Sequence, residues 1–118
     1  VPTVTPKALV EGTLLAAIAP GMPGLYRVPL SGVIAATLRS IRLCNTSASS
    51  TITATVYLVA SGDSEGAKSI IIPETTLGAK SFLPDDSIHV LGPGDYISAV
   101  ASLAGVVSFR ASGAEILE

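Results

Sequence analysis

The sequence predicts an all-β fold: one β-sandwich domain of jelly-roll-like type with about eight strands. Three observations carry this. Turn signals recur along the chain at 20–24, 29–32, 45–50, 61–66, 83–87, 92–94 and 103–105, each rich in Gly, Pro, Asn, Asp or Ser. The runs between them are short, apolar and rich in β-branched residues, and several alternate apolar with polar side chains. Of the 118 residues, 48% are hydrophobic and only 14% charged, which is too apolar for a disordered chain and enough for one real core.

The elements follow in order. Residues 1–6 hold Pro2 and Pro6, which cannot donate ladder hydrogen bonds, so they read as a flexible N-terminal arm ahead of a domain over 7–118. The first strand is expected at 7–18. Leu14 to Ala19 has helix propensity, but Gly12 inside and Pro20 beyond favour a strand. A short strand at 25–29 and a long one at 33–45 come next, the latter setting Ile41 and Leu43 against Ser40 and Arg42. Over 51–60, Ile52, Ala54, Val56 and Leu58 alternate with Thr53, Thr55 and Tyr57. Residues 68–73 carry the apolar run Ile70-Ile71-Ile72, compatible with a strand covered on both faces. Strands at 87–91 and 95–102 flank Gly92-Pro93-Gly94. The last, 106–117, puts Val107, Phe109 and Ala111 on one face and Ser108, Arg110 and Ser112 on the other, and Gly113 reads as a bulge that changes this alternation. Ile41, Leu43, Ile52, Ala54, Val56, Leu58, Ile97, Val107 and Phe109 should form one core.

Chemistry is harder to find than structure. The one histidine, His89, has no sequence partner that makes it a catalytic base, and its alternation with Ile88 and Val90 suggests an outward or interface position. Asp63, Glu65, Asp85, Asp86 and Asp95 all sit in turn-forming contexts, where a carboxylate bonds nearby backbone amides. One Cys and one His cannot make a zinc site, and Asp63-Ser64-Glu65 fits no calcium motif. Asn45-Thr46-Ser47 has the form of a glycosylation acceptor but reads first as a strand-ending turn. A net charge of −2 provides no basic surface for nucleic acid, and Tyr57 and Tyr96 are expected half-buried rather than stacked on bases. No apolar run is long enough to span a membrane. Glu11 and Gly12 interrupt the stretch before Ala19, against a signal peptide. The expectation is a non-enzymatic protein without cofactor or metal.

Leu25-Tyr26-Arg27-Val28-Pro29, the strand ending Ile41-Arg42-Leu43-Cys44-Asn45-Thr46-Ser47-Ala48, the run Thr53 to Val59, and Leu91-Gly92-Pro93-Gly94-Asp95-Tyr96-Ile97 occur in that order before Val106 to Glu115. This order resembles small β-sandwich structural proteins of tailed bacteriophage virions, found as head decoration (cement), neck or tail-fibre-associated proteins. The resemblance implies a capsid decoration protein that stabilises the head shell, partnered by the major capsid or another virion protein and assembled in the host cytoplasm. It also implies a homo-oligomer, with a trimer as the first choice and a dimer or fivefold ring as alternatives. The competing reading is a carbohydrate-binding or adhesive module, weakened by the absence of Trp and the single Asn.

Mean hydropathy of +0.61 suggests that some apolar surface is covered by other chains. The candidate interface comprises the arm (Val1, Pro2, Thr3, Val4, Thr5, Pro6), the apolar edge at Ile71, and the nearby charges Lys68, Glu74 and Arg110.

Overall fold

The computed structural model describes residues 3–18, 21 and 24–117. Among these residues, nine strands form two antiparallel sheets: β1 (Thr3–Leu14), β2 (Tyr26–Arg27), β3 (Val33–Asn45), β4 (Ile52–Val59), β5 (Ile70–Leu77), β6 (Phe82–Asp85), β7 (His89–Leu91), β8 (Tyr96–Ala101) and β9 (Val107–Leu117). The only helical element among the described residues is a single 3-10 turn at Ala67–Ser69. One sheet runs β1-β9-β3-β6 with β7 also on β3; the other runs β2-β8-β4-β5. β6 pairs with Ile41–Cys44 and β7 with Ala36–Leu38, so together they act as one interrupted strand along the same flank of β3. Eight strand positions result, and successive strands cross between the sheets except at β4–β5 and β6–β7. This is the jelly-roll arrangement.

The core is the space between the sheets. Ile41, Leu43, Ile52, Ala54, Val56, Ile97, Val107 and Phe109 are all buried there, as their alternation requires. Leu58 differs: it is half-buried, packed against the edge of the core, where the β4–β5 register slips beside Val56. Val59 is fully buried instead, paired with the buried Tyr96. Tyr57 is half-buried as expected, but Tyr96 is not.

Three further differences have physical causes. The arm expected over 1–6 overlaps β1: Thr3 to Pro6 pair with Leu117 to Ala114, while Val1 and Pro2 lie outside the described residues. β1 is an edge strand, where a proline costs no central ladder bond. β6 falls on a stretch that reads as a turn, because Pro84 and Asp85 are tolerated on an edge. Gly113 does not reverse the alternation of β9. The extra residue is Arg39 on β3, between the pairs Leu38–Gly113 and Ser40–Ser112. Glu115 consequently faces the other sheet and Ile116 faces away from it.

Gly113 is needed for a different reason. A Cβ there would run into the Thr37 carbonyl, because the bulged β3 backbone passes close by. Gly113→Ala should therefore destabilise the domain by about 1–3 kcal/mol, as an overpacked site does. A lowered urea midpoint with an unchanged slope would register this.

Candidate functional site

Four buried or half-buried polar side chains tie loops to the sandwich or one sheet to the other. Asn45, at 2% exposure, ends β3. Its Nδ2 donates to the carbonyls of Ser50, Leu77 and Gly78 at 2.9, 3.0 and 3.1 Å, and its Oδ1 accepts from the Ser47 amide at 3.0 Å. The strand-ending reading of Asn45-Thr46-Ser47 thus has its mechanism, and a side chain so enclosed presents no amide to a glycan. Asp95 closes the turn between β7 and β8: it accepts from the Gly92 amide and from the Ser61 amide, each at 2.9 Å. Gly94 allows that turn, with φ +86° and with Ser61 and Leu30 occupying the space a Cβ would need.

Glu65 anchors the long β4–β5 loop. Its carboxylate accepts from Ser98 Oγ at 2.8 Å, the Gly21 amide at 2.9 Å and the Tyr96 hydroxyl at 3.2 Å. Burial pushes this carboxyl up, but the hydrogen bonds from its own backbone, Ser98, Gly21 and Tyr96 outweigh it and leave the pKa below the ordinary value. Tyr96 is raised by burial and then by its bond to Glu65. Glu115 joins the sheets: it accepts from the Tyr26 hydroxyl and meets Lys7 Nζ at 3.2 Å. Burial and the Glu115 contact raise the Tyr26 phenol well above its usual range. Lys7 also lies over the Tyr26 ring, 5.7 Å from its centroid.

None of these groups makes a catalytic set. Each carboxylate is engaged in holding backbone or a neighbouring side chain. Among the described residues, no cluster of three or more His, Cys, Asp or Glu has a metal-binding arrangement. His89 is half-buried and faces inward opposite the buried Leu38, whereas Ile88 and Val90 are exposed. This reverses the outward position its alternation suggests. Its Nε2 is shielded and meets no hydrogen-bond partner among the described residues.

The described residues line two notable surface depressions. One, about 170 Å³, lies on the outer face of the second sheet and is lined by Thr53, Thr55, Glu74, Val100, Ser102 and Ala17, with no aromatic platform for a sugar ring. The other, about 240 Å³, is an apolar groove where β5 and β6, edges of opposite sheets, come side by side; Ile71, Ile72, Pro73, Leu83 and Pro84 line most of it.

The candidate interface residues divide accordingly. Ile71 is half-buried in this groove, and Glu74 is exposed on the same edge strand. Lys68 is exposed just before it and pairs with Asp63 at 3.3 Å. Arg110 is elsewhere: it sits on the outer face of β9, a central strand of the other sheet, and not beside the apolar edge. Thr3 to Pro6 are exposed on β1. Alternation marked Arg110 as outward, but its opposite neighbour Arg42 went unnoticed because strand pairing is not visible in a single run of sequence.

The fold is that of a jelly-roll β-sandwich. No protein-family profile and no curated protein matches the chain. Among solved structures it is similar to a chain described as "Structure of infectious bursal disease virus Gx strain", with a TM-score of 0.50 and 16% identity. The match covers 98% of this chain and 31% of that one, so this chain spans about a third of its length. At this identity the likeness concerns the fold alone.

The Glu65 network gives a pH test. A carboxyl lowered in the folded state is protonated first in the unfolded chain. Its stabilisation is present above the ordinary glutamate pKa of about 4.3 and is lost as pH falls through the folded value. Glu65→Gln should cost about 1–2 kcal/mol at neutral pH, the scale of hydrogen bonds to a charged acceptor. The variant should also lose less stability than the parent between neutral pH and acid. Parallel urea titrations across pH check both outcomes.

Proposed function

We propose that the chain is a non-enzymatic virion structural protein, most concretely a capsid decoration protein that binds and stabilises a head shell as a homo-oligomer. The observation that carries this reading is the match of nearly the whole sandwich, 98% of the chain, to part of a chain in a virus structure. The engagement of the carboxylates in loop anchoring is consistent with it, and so are the apolar surfaces the fold leaves exposed.

The mechanism is mechanical. A staple spreads many weak contacts over neighbouring subunits, so that separating them requires breaking most contacts together. A stable interface buries about 800 Å² per partner, a modest share of the 6040 Å² the chain exposes. The apolar lining of the β5–β6 groove, with Ile70 37% exposed at the start of β5, supports self-association. Pro73 and Pro84 interrupt the backbone donors there, which favours side-chain packing over continuous strand addition. A trimer is the arrangement we propose, following the resemblance to phage decoration proteins.

Mass spectrometry of purified particles from the source of this chain should find it in a fixed ratio to the shell protein. Absence from the particles overturns the reading. Native mass of the isolated chain tests the oligomer separately. Ile71→Asp should shift an oligomer to monomer while far-UV circular dichroism stays that of a folded β protein. An unchanged native mass from that folded variant removes the groove from the interface.

A further inference from the structure

We propose that the outer face of the β1-β9-β3-β6 sheet is a docking surface for an acidic protein partner, with Arg42 and Arg110 as its anchors. The proposal deepens the virion reading, and rests on it only for the partner's being a neighbouring subunit of the particle.

The strand register lays out this face in rows. Arg110 on β9 stands directly opposite Arg42 on β3, which in turn stands opposite Pro84 on β6. On one side lies the row Leu14, Ser108, Cys44 and Phe82; on the other lie Ala8, Ser112 and Ser40. Leu14 and Phe82 are each 56% exposed, and both arginines are exposed. One carboxylate residue, Glu11, stands in these rows, at the β1 bulge beside Arg110; among the described residues it forms no ion pair with either arginine.

Directly opposed like charges on adjacent strands are destabilising. The chain nevertheless carries this pair in the centre of a sheet, in a protein whose net charge is −2. Both guanidiniums are held in place rather than left to wander. Arg42 lies over the Phe82 ring at 5.0 Å, and Arg110 donates to the Glu11 carbonyl at 3.1 Å. Among the described residues neither forms an ion pair; the two ion pairs present use Lys7 and Lys68. Two positioned cations a strand apart, with free N–H donors and apolar flanks, match a carboxylate set in an apolar surface.

Charge also selects the occupant. A nucleic-acid backbone presents a dense line of phosphates and needs a basic stripe, which a pair of arginines on a net-negative chain does not supply. A second copy meeting this face two-fold would bring arginines against arginines. A different protein bearing Glu or Asp among aliphatic residues satisfies both the charge and the apolar rows.

The test is a titration of the isotope-labelled chain, followed by amide NMR. The probe is an extended peptide repeating Val-Ser-Glu-Ser, which places Val and Glu on one face. Its counterpart with Gln for Glu and a single-stranded oligonucleotide of equal length are the controls. The Glu peptide should perturb amides of β3 and β9 around Arg42 and Arg110. Arg42→Gln combined with Arg110→Gln should weaken its binding about tenfold, the effect expected of two exposed charge pairs, with the circular dichroism unchanged. Equal binding by the Gln peptide, tighter binding by the oligonucleotide, perturbations confined to the β5–β6 edges, or no response to the double substitution each overturns the proposal. So does a concentration-dependent shift of the same amides without peptide, which assigns the face to a second copy. Absence of the chain from particles would overturn the virion reading and leave this titration standing. A silent titration with the chain present in particles would remove the docking face alone.

Discussion

The register between β3 and β9 is the constraint on which the rest depends. These strands run side by side from Val33–Leu117 to Asn45–Val107, and β3 also carries β6 and β7 on its other flank. A one-residue slip of β9 against β3 would send Val107 and Phe109 to solvent together. It would also break the Tyr26–Glu115 contact between the sheets and turn Arg110 away from Arg42 on the outer face. The bulge at Arg39 lets a long pairing change phase once while both strands keep an inward face. Gly113, opposite, is the residue small enough to admit it.

Much of the fold was legible because it rests on local periodicity. The alternation in Ile52 to Val56 and Val107 to Ala111 identified inward faces correctly, and turn residues divided the chain close to the observed strand ends. What escaped depends on position within a sheet. Pro84 breaks a central strand but not an edge, so β6 looked like a turn. Pro6 misled in the same way at the start of β1. His89 turned inward because β7 takes its face from Leu38, a neighbour far away in sequence.

The polar ties were only half visible. Asp95 and Asn45 bond backbone within a few residues as well as further away, and turn chemistry points to them. Glu65 and Glu115 take hydroxyl partners separated by at least 31 residues, Tyr96 and Ser98 for one and Tyr26 for the other. No local pattern distinguishes such carboxylates from solvated ones. The opposed arginines belong to the same class: each looks like an ordinary outward charge until the strands are laid side by side. The features that bear on function here are pairings, whereas the features that bear on fold are largely spacings.

The antiparallel pairing of Thr3 with Leu117 has a consequence under load. A pull applied at these two residues would draw β1 and β9 apart like a zipper, straining one ladder bond after another. Force applied along the length of the strands shears the ladder and loads many bonds at once. A molecule 51 Å long and 20 Å thin is therefore strong or weak according to where it is gripped. Tension that shears the strands along their length meets the stiff direction, and tension entering at the paired ends meets the compliant one.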